Sequence, residues 1–159
     1  MRNSLMPVFA GFVATLVMAL IMFVVRLYLG APFIPELLAQ GLLPTYSAGL
    51  SDFSSITSAE FSVFILSTLA HLGAGTILGA FFLYQCQRFK LRNPVLLSLA
   101  YSILLWLVFS AILLPLLGFG FFGQYFSGIP AIANTALFIF FLVYGLVLSF
   151  FLVGGCRRG

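Results

Sequence analysis

Few side chains in this sequence can take part in chemistry, and one of them lies inside a long apolar run. His71 is the only histidine, and most residues on either side of it are hydrophobic. An ionisable side chain in such a segment is costly to bury, so it is by default a candidate functional residue. Gly75 and Gly79 follow at intervals of four, which on a helix places the imidazole and both glycines on one face. The glycines leave space beside the ring for a flat ligand or for another helix.

Two interpretations of His71 are open from the sequence. In the first, the ring is an axial ligand of a tetrapyrrole, either a haem or a chlorophyll-type pigment. In the second, no cofactor is bound, and a neutral histidine hydrogen-bonds to Ser98, Tyr101 or Ser102, or to a backbone carbonyl. Because there is one histidine, a bis-histidine haem within the chain and a metal site built from several histidines are excluded.

Trp106 is a second candidate for contact with a cofactor. It lies in the middle of an apolar run, whereas tryptophan in membrane proteins is enriched at the two interfaces. A tryptophan at this depth either stacks beside His71 or a cofactor, or packs against a neighbouring helix. The sequence leaves both arrangements open.

Three charged residues form a predicted polar cluster at the outer interface. Arg26 lies near the end of the first apolar run, Glu36 follows it, and Glu60 lies at the start of the second run. The structural interpretation is an arginine whose side chain reaches the interface and pairs with one of the glutamates. The functional alternative is a binding site for a lipid headgroup, a quinone or another anionic ligand.

Signatures of catalysis are missing from the sequence. It contains no nucleophile–base pair, no paired carboxylates, no P-loop and no dinucleotide-binding motif. Cys86 and Cys156 are the only cysteines, and they form no redox or metal-binding motif. We therefore expect a protein that is not an enzyme and that has no cluster of metal ligands.

Composition identifies the medium that surrounds these residues. Of the 159 residues, 63% are hydrophobic and 6% are charged, whereas soluble domains are about one quarter charged. The expected partner is therefore a lipid bilayer, and the expected fold is an all-α membrane protein. The basic residues form no stripe that could follow a phosphate backbone, so nucleic acid is not an expected partner.

Four apolar segments are long enough to cross a bilayer, which requires about 20 residues in a helix. They form a single transmembrane domain over residues 1–159 and cover residues 5–29, 59–84, 94–117 and 130–153.

Smaller features predict how the spans end and connect. Pro115 predicts a kink or an end in the third span. Between the first two spans, residues 35–41 begin with proline and end with glycine, which predicts a short extracytoplasmic helix. Asn134, near the start of the fourth span, is expected to form a hydrogen bond across to another helix.

The basic residues predict the orientation of the spans. Six of the seven lie at the termini and in the second connection, on one side of the predicted bundle, and all three acidic residues lie on the other side. Because cytoplasmic loops are enriched in lysine and arginine, we expect a multi-pass protein of a bacterial inner membrane with both termini in the cytoplasm. The six residues are Arg2, Arg88, Lys90, Arg92, Arg157 and Arg158.

The second and fourth spans resemble each other at an offset of 70 residues. Gly75 corresponds to Gly145, and Gly79 corresponds to Ser149. These small residues, four apart, let two helices approach closely, so we expect the second and fourth spans to form the tightest pair or an oligomer contact.

The first and third spans correspond more weakly, through 7–8 with 94–95 and 29–30 with 117–118. Together the two correspondences indicate a two-plus-two repeat of parallel halves, related by an axis along the membrane normal. The alternative is chance similarity between apolar segments.

A short motif carries the one resemblance to known proteins. Residues 26–38 have the sequence RLYLGAPFIPELL, which resembles bacterial membrane segments that precede molybdopterin-dependent oxidoreductase domains. The whole chain is also broadly similar to uncharacterised four-helix bacterial inner-membrane proteins. The resemblance implies a membrane anchor near an electron-transfer system. It assigns no catalytic residue, because these 159 residues hold no counterpart of the molybdopterin domain.

Three functions follow as hypotheses. The first is a non-catalytic accessory or structural subunit of a larger bacterial membrane complex, in electron transfer or photosynthesis, with other membrane subunits as partners. The second is a tetrapyrrole-binding protein that uses His71. The third is a small transporter or channel built on the two-plus-two repeat.

Overall fold

The computed structural model describes residues 5–29, 58–89, 93–125 and 130–156, and these residues form four long helices and a short turn segment after the third helix. No strand occurs within these ranges, so the all-α prediction is confirmed. The second helix extends five residues beyond its predicted end at 84. The helices are α1 (Met6–Leu29), α2 (Ser58–Phe89), α3 (Pro94–Leu116) and α4 (Pro130–Cys156).

Each helix contains a segment that is long and apolar enough to span a bilayer, as the sequence predicted. This is the architecture of a multi-pass membrane protein. Large apolar side chains such as Leu66 and Phe150 point away from the bundle, where lipid can solvate them. The four segments are Leu5–Val25, Ile65–Cys86, Pro94–Leu116 and Ala131–Val153.

The third helix contains one wide turn just before Pro115. Residues Phe109–Leu113 form a π-helical turn, in which the N–H of Leu114 donates to the carbonyl of Phe109, five residues earlier. Proline has no N–H and its ring crowds the carbonyl four residues before it. The wider turn lies where Pro115 would otherwise interrupt the backbone hydrogen bonds of the helix, and the helix continues to Leu116.

The third helix ends at a glycine. Gly118 has a φ of 87°, a left-handed conformation that glycine adopts without steric cost. Its N–H donates to the carbonyl of Pro115 at 3.0 Å, and the N–H of Phe119 donates to the carbonyl of Leu114 at 2.9 Å. This pair of bonds is a Schellman motif and satisfies carbonyls that the helix leaves free.

The helices pack in pairs that differ from the predicted ones. The most extensive contacts join α1 to α2, α3 to α4 and α1 to α4, whereas α2 and α4 meet over a short stretch. The expectation that the second and fourth spans form the tightest pair is therefore wrong. The reason is the direction of the glycine faces: Gly75 faces α1, Gly145 faces α3, and only Gly79 lies against both α1 and α4.

The glycines nevertheless mark the points of closest approach between helices. A Cβ atom built on Gly75 would lie 2.5 Å from the side chain of Thr15, and one on Gly145 would lie 2.5 Å from Oγ of Ser102. Such contacts are a main source of helix association in lipid. Ser149, the fourth predicted packing residue, is buried and donates to a carbonyl of its own helix.

These contacts repeat at the offsets found in the sequence. Gly75 and Gly145 are separated by 70 residues, and their neighbours Thr15 and Ser102 by 87. Pro7 and Pro94 are also 87 apart, whereas 30 and 118 are 88 apart. The offset between α1 and α3 is therefore one residue larger near the ends of these helices than near their starts. The π-helical turn of α3 lies between these two pairs of positions and contains the one extra residue.

A polar contact also joins α3 to α4, as predicted for Asn134. Its Oδ1 accepts a hydrogen bond of 3.4 Å from Oγ of Ser110, which is buried. The prediction that Asn134 bonds to another helix is confirmed.

Candidate functional site

His71 lies on α2 beside a cavity inside the bundle, and its ring forms part of the cavity wall. Its Nε2 atom is buried and has no hydrogen-bond partner among the described residues. An unpaired polar atom in a buried site costs about 1–3 kcal/mol. His71 therefore carries a polar group that the described part of the chain does not satisfy.

The side chains predicted to bond to His71 are engaged elsewhere. The hydroxyl of Tyr101 donates to the carbonyl of Leu78 at 2.9 Å. Ser98 and Ser102 donate to carbonyls of their own helix at 2.9 Å each. Because Nε2 of His71 has no partner among the described residues, the interpretation in which one of these three side chains bonds to this atom is wrong.

The cavity has a volume of about 400 Å³ and lies between all four helices. This volume is within the range of small-molecule sites, roughly 300–1,000 Å³. Buried residues of α1 and α4 form its floor: Thr15, Met18, Phe141 and Tyr144. Residues of α2 and α3 form its two sides: Ala70, His71, Ala74, Gly75 and Leu78 on α2, and Leu105, Val108, Phe109, Ile112 and Leu113 on α3.

The cavity opens sideways, between α2 and α3. The lining residues at the opening are exposed: Leu78 by 40%, Val108 by 45% and Ile112 by 55%. The floor residues are buried under them. Because these residues lie within the candidate membrane spans, the opening faces the space that lipid tails would occupy.

The side of the cavity nearest Phe89 and Pro94 is closed. There the ring of Tyr101 stacks on Phe82, with centroids 4.3 Å apart and planes 11° from parallel. The bond from Tyr101 to the Leu78 carbonyl joins α3 to α2 at the same level. The gap between the two helices therefore begins beyond this contact and continues towards the other end of the bundle.

The floor is held by hydrogen bonds to backbone carbonyls. Tyr144 donates to Gly75 at 2.6 Å, across from α4 to α2, and Thr15 donates to Gly11 at 2.8 Å. The hydroxyl hydrogens of both floor residues are thus engaged. Among the polar side chains of the cavity lining, His71 is the one with an unpaired buried nitrogen.

A neutral imidazole has one N–H donor and one nitrogen lone pair. A half turn about the Cβ–Cγ bond exchanges each ring nitrogen with a carbon, so either edge of the His71 ring can present a nitrogen. The ring can donate to a carbonyl, accept from a hydroxyl or coordinate one metal. Within the described residues, no three His, Cys, Asp or Glu side chains come together to hold a metal ion, so a coordinated metal would need its other ligands from a macrocycle.

Trp106 lies away from the cavity, which corrects one predicted role. Its ring packs against Phe138 of α4 at 4.9 Å and against Phe122 at 5.6 Å. It does not line the cavity beside His71. The interpretation as a residue packed against a neighbouring helix is the correct one. Its Nε1 atom is buried without a partner among the described residues.

Sequence reasoning missed the roles of three side chains that shape or adjoin the site, although it named Tyr101 as a possible partner of His71. Tyr144 and Tyr101 form the cross-helix bonds that define the floor and one end, and a tyrosine inside an apolar run was the available signal. Ser67, one turn before His71, has a buried Oγ atom without a hydrogen-bond partner in the described part of the chain. A serine inside an apolar run is a weak signal, because serine usually bonds to its own helix.

The predicted outer cluster of Arg26, Glu36 and Glu60 lies outside the residues whose side chains the structure describes. The predicted helix at 35–41 and the basic residues used for orientation also lie outside them.

No protein-family model, no curated protein and no solved structure matches this sequence. The class of the protein therefore follows from its own features. In its described residues it is a helical protein with four candidate membrane spans and an apolar side cavity, where one histidine nitrogen has no partner in that part of the chain.

Proposed function

We propose that this protein binds a lipophilic ligand within the membrane, in the cavity beside His71. One observation carries the proposal: the ring of His71 lines an apolar cavity of about 400 Å³, and its Nε2 atom is buried without a partner in the described chain. A ligand with one hydrogen-bonding or metal centre and an otherwise apolar surface complements both features. It would satisfy the nitrogen and fill the space at the same time.

Two kinds of ligand have this chemistry. One is a tetrapyrrole whose central metal is coordinated by His71. The other is a smaller ring whose carbonyl or hydroxyl forms a hydrogen bond with His71. The two ligands differ in their absorption spectra, so one measurement separates them.

The test starts from protein purified in a mild detergent or in nanodiscs. We expect an organic extract of the wild-type protein to contain a ligand that is absent from a His71→Leu variant. A Soret band that disappears in this variant identifies a tetrapyrrole. Leu69→Ala is a matched control, because Leu69 is on the same helix, is exposed and does not line the cavity. Equal ligand content in wild type and His71→Leu would refute the proposal.

The predicted role as an accessory subunit is a second candidate, and one observation favours it. On α2, a Cβ atom added to Gly73 would meet nothing within 4 Å, and Gly73 does not line the cavity. Small residues on an outward helix face allow a helix of another subunit to approach. Purification in mild detergent tests this role: a co-purifying membrane subunit that is lost in Gly73→Leu supports it, and a chain that migrates alone contradicts it.

The proposed location is the bacterial inner membrane, with both termini in the cytoplasm. The six basic residues at one side support this orientation. Reporter fusions at the two termini and after residue 125 test it, since the proposal requires opposite signals from the termini and from the third connection. Transport, the third hypothesis, is tested by solute flux in proteoliposomes.

A further inference from the structure

The two helix hairpins of the bundle, α1–α2 and α3–α4, pack at corresponding positions. Gly75 contacts Thr15 in the first hairpin, and Gly145 contacts Ser102 in the second. The offsets are 87 residues from α1 to α3 and 70 from α2 to α4. Under this correspondence, the interface between α1 and α4 is the counterpart of the interface between α2 and α3.

These two corresponding interfaces differ in the structure. Extensive contacts join α1 to α4, and the α1 residues in the core are fully or almost fully buried. By contrast, α2 and α3 separate beyond the contact between Tyr101 and Leu78, and the cavity occupies the space between them. One of two related interfaces is closed, and the other is open.

Several positions differ between the two interfaces. The cavity-lining Ala70 and Ala74 of α2 correspond to the buried Phe140 and Tyr144 of α4, and α3 carries the largest change in the opposite direction. Tyr101 of α3 corresponds to Ala14 of α1, and Leu78 of α2 corresponds to Leu148 of α4. In the closed interface, Ala14 and Leu148 are both fully buried. In the open interface, the large ring of Tyr101 stacks on Phe82 instead. Thus α3 has a tyrosine where α1 has an alanine, and its ring fills the space between α2 and α3 at this position.

We propose that Tyr101 acts as a wedge that holds α2 and α3 apart, and that the resulting gap is the lateral portal through which the ligand of His71 reaches the cavity from the bilayer. This proposal rests on the ligand-binding function proposed above. Tyr101 is a positioning residue, since it does not line the cavity and acts on the ligand only through the spacing of the helices.

The walls of the portal indicate the chemical class of the ligand. The exposed side chains at the opening are Leu78, Val108 and Ile112, and they offer no hydrogen bond to a solute that arrives from water. A ligand that enters here is already dissolved in the membrane. Because the opening lies within the candidate spans, a hydrocarbon chain attached to the ring can remain between the helices and extend into the bilayer. The occupant is therefore a ring with one carbonyl or hydroxyl directed to His71 and a prenyl or similar chain.

The spacing of the helices can be measured independently of any ligand. Spin labels on Leu69→Cys and Leu107→Cys report the distance between α2 and α3 from two exposed positions that do not line the cavity. We expect this distance to shorten in Tyr101→Ala and to stay unchanged in Tyr101→Phe, which keeps the ring and loses only the hydroxyl. An unchanged distance in Tyr101→Ala would overturn the wedge.

Binding is tested with a benzoquinone that carries a short prenyl chain, by quenching of the fluorescence of Trp106, the only tryptophan. Specific quenching is the part lost in His71→Leu. We expect a loss of about tenfold or more in affinity for Tyr101→Ala, with affinity retained in Tyr101→Phe. The same benzoquinone without its chain should bind more weakly than the prenylated probe. Equal affinity for both probes would overturn the proposed class of ligand.

Cross-linking tests the portal in protein that keeps Tyr101. A bifunctional thiol reagent would join Ala70→Cys on α2 to Val108→Cys on α3, which both line the cavity. We expect the cross-link to block binding when it is formed before the probe is added and to trap the probe when it is formed afterwards. The same variant treated with a monofunctional reagent is the control. Unimpeded binding after cross-linking overturns the portal but leaves the binding function intact. No specific binding of the prenylated benzoquinone to uncross-linked wild type overturns the proposed class of ligand, whereas equal ligand content in extracts of wild type and His71→Leu refutes the binding function.

Discussion

The hydroxyl of Tyr144 donates a hydrogen bond of 2.6 Å to the carbonyl of Gly75. Tyr144 lies on α4 and Gly75 on α2, so this bond joins two helices that otherwise meet over a short stretch. The bond lies at the floor of the cavity and fixes the position of α2 along the axis of α4. Gly75, which accepts the bond, is one helical turn from His71. The position of the histidine relative to the cavity therefore depends on this bond.

We expect Tyr144→Phe to lower the free energy of unfolding by about 0.5–1.5 kcal/mol, the usual range for a hydrogen bond between helices in a membrane protein. The ring remains and only the bond is lost. Unfolding of the protein in mixed micelles of lipid and denaturing detergent measures the change. The control is Tyr84→Phe on the exposed side of α2, for which we expect no change. Equal effects in the two variants would contradict the structural role of the bond.

Two glycines on one helix should respond in opposite ways to the same substitution. A Cβ atom on Gly79 would lie 2.7 Å from Cα of Gly11 and 2.7 Å from the hydroxyl of Tyr144. We expect Gly79→Ala to destabilise the bundle by about 1–3 kcal/mol, because the neighbours include backbone that cannot move aside.

At Gly73, nothing lies within 4 Å of the added atom. Gly73→Ala should therefore be neutral or should stabilise the protein by up to about 1 kcal/mol, through the higher helix propensity of alanine. Both variants can be compared in the same micelle unfolding assay. Destabilisation by Gly73→Ala to the same extent as by Gly79→Ala would show that the two positions do not differ in packing as described.

His71→Leu should separate stability from binding. Leucine removes a buried polar atom that has no partner among the described residues, so we expect the ligand-free protein to gain about 1 kcal/mol. The same variant should lose the ligand. With saturating ligand we expect the wild type to be the more stable of the two proteins, since bound ligand stabilises only the wild type. Thermal unfolding with and without ligand measures both effects, and a variant that is less stable than wild type without ligand would contradict the first expectation.

Ser67→Ala tests whether the second unpaired polar atom of α2 has a role in the site. Its Oγ is buried without a partner in the described chain, and its side chain does not line the cavity. We expect a gain of stability of about 1 kcal/mol and unchanged ligand content. Ser98→Ala is the control, because it makes the same serine-to-alanine change at a buried hydroxyl that already donates to its own helix. Loss of ligand in Ser67→Ala would show that the site extends one turn further along α2.

The sequence by itself determined the four spans, the all-α fold and the residues of closest helix contact. A helix in lipid satisfies its backbone hydrogen bonds within its own segment, so each span can be recognised from about twenty consecutive residues. Gly75, Gly79 and Gly145 could be identified as contact points in the same way, because a missing side chain is a local property. The cross-helix bond of Asn134 followed from a polar group placed near the start of an apolar span.

Only the tertiary structure decided which helices pair and where a cavity remains. Lipid tails are as apolar as leucine, so no hydrophobic pattern distinguishes a helix face that meets lipid from one that meets another helix. The partners of Gly75 on α1, the packing of Trp106 against Phe138 and the gap beside Tyr101 all depend on the shapes of side chains from distant segments. For the same reason, only the assembled bundle shows that Nε2 of His71 has no partner among the residues that the structure describes.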